Sequence, residues 1–171
     1  MSMKLIKKIF ILSLFYFTFN AANSEENVKR IGKFKDWESF ILSKEGKKIC
    51  FAQSIPVIRA PKKIKRDPSR LFVTFRPSEN IKNEISVTNG YQFKLKAPVT
   101  VKSGKKVYDL FSKERFAWVI DDENEAKLIL TMKKASRLMI MGNSDKGYQT
   151  TDHYSMMGFT KAYNSAKKNC S

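Results

Sequence analysis

The chain has 171 residues, 33 lysines and arginines against 16 acids, one histidine and two cysteines. That length suits one domain with a real core. One histidine and two cysteines 120 positions apart argue against a clustered zinc site, and without a G-x-G-x-x-G or P-loop pattern no nucleotide cofactor is expected.

The first 24 residues read as a secretory leader. Lys4, Lys7 and Lys8 form a positive start, and Ile9 to Phe19 is an almost unbroken apolar run. Ala22-Asn23-Ser24 places small residues at a cleavage site before Glu25-Glu26. The apolar run is shorter than the roughly 20 residues of a spanning helix. The expected division is a signal peptide over 1–24 and one domain over 25–171. Removing the three leader lysines leaves 30 basic and 16 acidic residues, or +14. Behind a leader that excess points to anionic envelope surfaces and not to nucleic acid. Lysines outnumber arginines 26 to 7, a bias that genome composition alone also produces.

After the leader the chain has the period of strands. Phe34 to Leu42 is the first, and Ile49 to Ile55 follows the turn at Glu45-Gly46. Cys50 lies here and pairs, in an oxidising compartment, with Cys170. Such a bridge closes nearly the whole domain, worth about 4.7 kcal/mol for a loop of about 100 residues in the chain-entropy model.

Arg59 to Arg70 carries six basic residues, one acid and two prolines. It has too little apolar content to bury and reads as an exposed loop. Lys62, Lys63, Lys65, Arg66 and Arg70 are candidate contacts to an anionic surface.

Leu71, Val73 and Phe75 share one strand face. Arg76, Asn83 and Glu84 form a candidate polar recognition spot. The competing reading is structural, with Glu84 pairing Arg76 and Asn83 bonding local backbone. Glu84 to Thr88 is a strand ended by Asn89-Gly90. Val99 to Val101 and Lys106 to Phe111 flank Ser103-Gly104 as a hairpin, where Lys102, Lys105 and Lys106 give a second basic patch.

Phe116 to Ile120 is a further strand. Asp122 to Lys134 then reads as a helix. Asp122 is its cap, Glu125 completes a capping box, and Ala126, Ile129 and Leu130 are its apolar stripe. Arg137 to Met141 and Gln149 to Met156 return to strand. His153 and Ser155 share one face of the last strand, so a hydrolase built on that pair is an alternative function. Neighbouring residues on a strand point to opposite faces, so Asp152 is poorly placed to orient the imidazole. Asp152 is instead expected to satisfy buried backbone donors. Phe159, Ala162, Tyr163, Ala166 and Cys170 fall on one face of a C-terminal helix. About nine short strands at close spacing argue for an antiparallel β-sandwich or barrel.

Three blocks carry a resemblance. The first is Phe72-Val73-Thr74-Phe75-Arg76-Pro77 with Asn83-Glu84-Ile85-Ser86-Val87 and Gly90-Tyr91-Gln92-Phe93. The second is Ala117-Trp118 with Met132-Lys133-Lys134-Ala135-Ser136. The third is Ser144-Asp145-Lys146-Gly147, Thr151-Asp152-His153-Tyr154-Ser155, Gly158-Phe159-Thr160-Lys161-Ala162 and Cys170. In this order they resemble the invasion-associated locus B family of alphaproteobacterial envelope proteins. Some members carry a cysteine shortly after an early tryptophan, where this chain has Ser39 and Phe40. The resemblance implies a secreted or periplasmic β-sandwich with a disulfide, and no catalytic residues come with it. The expected fold is a mainly β, immunoglobulin-like antiparallel sandwich with one internal helix and a C-terminal helix, closed by one disulfide. The expectation is therefore a noncatalytic binding or interaction module, periplasmic or at the outer surface. Its partner is an unidentified protein or an anionic envelope or host-surface component reached through the basic loop, with peripheral membrane contact allowed. A structural or chaperone-like periplasmic protein is the other alternative.

Overall fold

The computed structural model describes residues 27–170, so the expected signal peptide over 1–24 lies outside the described residues. The chain opens with two hairpins: β1 (Asn27–Phe34), β2 (Trp37–Lys44) and β3 (Lys47–Ser54). A strand expected over Phe34 to Leu42 is thus two strands, with the turn at Lys35-Asp36. β4 (Ile58–Ala60) falls where only a loop was expected. β5 (Arg70–Arg76) and β6 (Ile81–Thr88) flank a 3-10 turn at Pro77–Glu79. β7 (Val99–Ser103), β8 (Lys106–Lys113) and β9 (Phe116–Val119) follow. Helix α1 (Asp122–Lys134) leads to β10 (Arg137–Asn143) and β11 (Gln149–Ser155), and α2 (Phe159–Asn169) ends the chain.

These strands form one continuous antiparallel ladder in the order β1-β2-β3-β5-β6-β9-β8-β7-β10-β11-β4. Three residues separate β3 from β4, yet β4 pairs at the far end of that order, with β11. So short a link forces the sheet to fold over on itself, which gives the sandwich-like body. Trp37 spans the closure. Its indole N–H donates to the Ser155 carbonyl at 2.8 Å, and its ring meets Phe159 edge-on at 4.8 Å.

The inner face alternates as strands require: Leu71, Val73 and Phe75 on β5, Ile85 and Val87 on β6, and Leu138 and Ile140 on β10 are all buried. Helix α2 buries Phe159, Ala162, Tyr163 and Ala166, the expected stripe. Its end is fixed by the Cys50–Cys170 disulfide, with Cα atoms 5.8 Å apart. Helix α1 has the expected span, but Asp121 is its cap, accepting from the Asn124 N–H at 2.8 Å. Its buried side chains are Leu128, Ile129, Thr131 and Met132, while Ala126 and Leu130 face out. Glu125 takes no part in a capping box; it turns inward and accepts from the Ile85 N–H at 2.8 Å.

Candidate functional site

β11 places Thr150, Asp152 and Tyr154 on its buried face. A carboxylate on that face needs a cation or several donors, since an unpaired buried charge is costly. The basic loop supplies the cation. Arg66 donates to Asp152 through both terminal nitrogens, Nη1 to Oδ2 at 2.7 Å and Nη2 to Oδ1. Nη1 also donates to Ser69 Oγ at 2.7 Å and to the Asn89 carbonyl at 2.6 Å. The two side chains are 1% and 0% exposed. Burial works against the Arg66 charge, but the hydrogen bond and charge of Asp152 outweigh it, and its pKa lies above the ordinary arginine value. Two expectations are corrected here. Arg66 is not a surface contact, because its guanidinium is consumed inside the protein. Asp152 serves this arginine and not backbone donors.

The rest of the loop is fastened around that pair. The Asp67 N–H donates to the Gly90 carbonyl at 3.1 Å, Arg59 Nη2 donates to the Asp67 carbonyl at 2.5 Å, and Arg115 pairs with the Asp67 carboxylate. Gly90 has φ +80°, and a Cβ there would stand 2.0 Å from the Asp67 oxygen. Only glycine permits this approach. Lys62, Lys63 and Lys65 are left exposed, and none of them pairs with an acid among the described residues. Arg70 is half-buried at the start of β5.

The hairpin lysines are separate from this loop, with β10 and β11 lying between β7 and β4 in the sheet. Lys105 is exposed and Lys102 half-buried, and Lys106 donates from Nζ to Thr131 Oγ1 at 3.3 Å.

Arg76 and Glu84 are fastened together, while Asn83, beside Glu84 on β6, is held separately by helix α2. Arg76 grips Glu84 with two bonds of 2.9 and 2.7 Å and Glu79 with a third of 2.9 Å. The Tyr163 hydroxyl donates to Asn83 Oδ1 at 2.6 Å and so ties α2 to β6. They rim a groove of about 940 Å³ on the outer sheet face. Sequence reading missed this groove, although its signal was present: Phe51, Phe72, Phe111 and Trp118 all sit at outward positions of alternating strands.

His153 and Ser155 do not form a dyad. His153 lies on β11 between β10 and β4, opposite Met139 and Ile58. The Ser155 hydroxyl accepts from the Met157 N–H at 3.2 Å, and its carbonyl holds Trp37. No bond joins the two side chains among the described residues.

No family model matches the chain, and no curated protein matches it. Among solved structures it is similar to invasion associated protein B from Bartonella henselae, with a TM-score of 0.56 and 13% identity. The match covers 81% of this chain and 96% of that one. At that identity the likeness is one of fold.

Proposed function

We propose that this protein is an exported, noncatalytic envelope module, akin to the invasion-associated locus B family, that binds an anionic component through its basic loop. One observation carries the reading: the buried Arg66–Asp152 pair fixes a loop whose three neighbouring lysines, Lys62, Lys63 and Lys65, all face outward. A mobile lysine-rich loop must lose conformational freedom when it binds, whereas an anchored one has already lost it. The leader-like residues 1–24 support an envelope location, and the fold it shares with an invasion associated protein agrees with that location.

The test is binding to vesicles containing an anionic phospholipid. Affinity falls steeply as salt rises, because exposed charges are screened over about 8 Å at physiological ionic strength. Lys62→Glu, Lys63→Glu and Lys65→Glu together remove most of it. Binding indifferent to salt, or none at low salt, overturns the proposal.

A further inference from the structure

We infer that the groove over the outer face of β5, β6, β9 and β8 binds a neutral pyranose oligosaccharide. The strand register builds its shape. Phe72 lies opposite Ser86, Ser86 opposite Trp118, and Trp118 opposite Phe111. Strands are about 4.8 Å apart, so Phe72 and Trp118 stand about 10 Å apart across the single small Ser86. Each wall is braced by another ring, Phe51 meeting Phe72 edge-on at 6.1 Å and Phe111 stacking on Trp118 at 5.5 Å. Ser86 and Thr74 point outward from the sheet yet are only 6% and 9% exposed, because these rings rise above them. The floor is therefore recessed between aromatic walls.

The polar chemistry of the floor selects the ligand. Neither the Ser86 nor the Thr74 hydroxyl has a hydrogen-bond partner among the described residues. Glu125 enters the lining from α1 with one oxygen on the Ile85 N–H, leaving the other for a ligand. Burial pushes its carboxyl up to about 7, so near neutral pH it can donate as well as accept. A wholly apolar occupant would desolvate these groups without replacing their hydrogen bonds. A sugar ring brings both halves, an apolar face for stacking and hydroxyls for the floor.

Charge argues for a neutral ligand. Arg76, Lys82 and Lys113 line the groove with Glu84, Asp121, Asp122 and Glu125, and Arg76 is already held by Glu84. This balanced patch stands on a chain that is otherwise strongly basic. An anionic ligand would be drawn elsewhere on the molecule.

The experiment titrates the exported chain with cellohexaose, chitohexaose and maltohexaose, each at up to millimolar concentration. Tryptophan fluorescence and calorimetry give the readout. Trp37 is 0% exposed and Trp118 half-buried in the groove, so a fluorescence change reports on Trp118. At least one hexasaccharide is expected to saturate, with affinity unchanged by high salt. Trp118→Ala is expected to weaken it about tenfold, a stacking contribution of about 1.4 kcal/mol. Should Trp118→Ala fail to fold, Phe111→Ser, at a ring 50% exposed, gives the same reading from calorimetry. Lys62→Glu/Lys63→Glu/Lys65→Glu leaves sugar binding unchanged, which separates this site from the basic loop. The inference is overturned if no hexasaccharide binds, if salt abolishes binding, or if both groove variants bind like wild type. It is also overturned if the groove variants abolish self-association or vesicle binding and no sugar binds.

Discussion

Arg66 and Asp152 lie 86 positions apart and meet as a two-pronged ion pair with side chains 1% and 0% exposed. Through it the most basic stretch of the chain is anchored to the core instead of waving free. Removing one partner strands the other charge in the interior. Arg66→Ala and Asp152→Ala should each lose about 3–5 kcal/mol in urea unfolding. Arg66→Met with Asp152→Leu should recover most of that loss, because neither charge is then left unpaired. Equal instability of the single and double variants would contradict the ion-pair account.

Gly90→Ala tests the loop's seat separately. The added methyl meets the Asp67 carbonyl at 2.0 Å on a backbone already at φ +80°. Loop and turn must move apart. The expected result is a loss of at least about 1 kcal/mol with faster tryptic cleavage between Lys62 and Arg66. A variant with wild-type stability and cleavage would show that the loop does not depend on this contact.

The Cys50–Cys170 bridge spans 120 positions. Cys50→Ala/Cys170→Ala should lower unfolding free energy by about 4–5 kcal/mol, the chain-entropy value for loops of this length. The residues most affected are those of α2, which hydrogen exchange should show opening before the sheet. Mass spectrometry of unreduced protein should find both cysteines linked.

Glu125 makes stability depend on pH with a defined sign. Its carboxyl has an ordinary value of 4.5, which the unfolded chain retains, and lies near 7 when folded, chiefly through burial. Between those values the folded state holds the extra proton. Stability contributed by protonation is therefore present at pH 5, falls as pH rises towards 7 and is lost above it. Glu125→Gln keeps an acceptor for the Ile85 N–H and removes the titration. Its unfolding midpoint should match wild type near pH 5 and exceed it at pH 8. An equal difference at both pH values would count against this.

Local signals carried much of this fold, and long-range ones did not. Helix α2 is visible in the spacing of Phe159, Ala162, Tyr163 and Ala166, and β5 in the alternation of Leu71, Val73 and Phe75. β1 is largely exposed and joins through backbone pairing to β2, so it has no apolar alternation to read. β4 is three residues long and exists because β11 offers it an edge. The Arg66 partnership was half legible: alternation places Asp152 on a buried face, which demands a cation. Which of the chain's basic residues answers that demand depends on the folding-over of the sheet. The groove had the same difficulty. Its rings are individually visible as outward aromatics, but only the register sets Phe72 and Trp118 on either side of Ser86.

The most direct measurement compares three proteins binding anionic vesicles across a salt series: wild type, Lys62→Glu/Lys63→Glu/Lys65→Glu, and Arg66→Met/Asp152→Leu. A pre-formed basic loop predicts steeply salt-dependent binding for wild type and almost none for the charge-reversed protein. It predicts weaker binding for the double variant, which keeps the three lysines but loses their anchor. Equal binding by wild type and the charge-reversed protein would contradict the account, as would double-variant affinity equal to wild type.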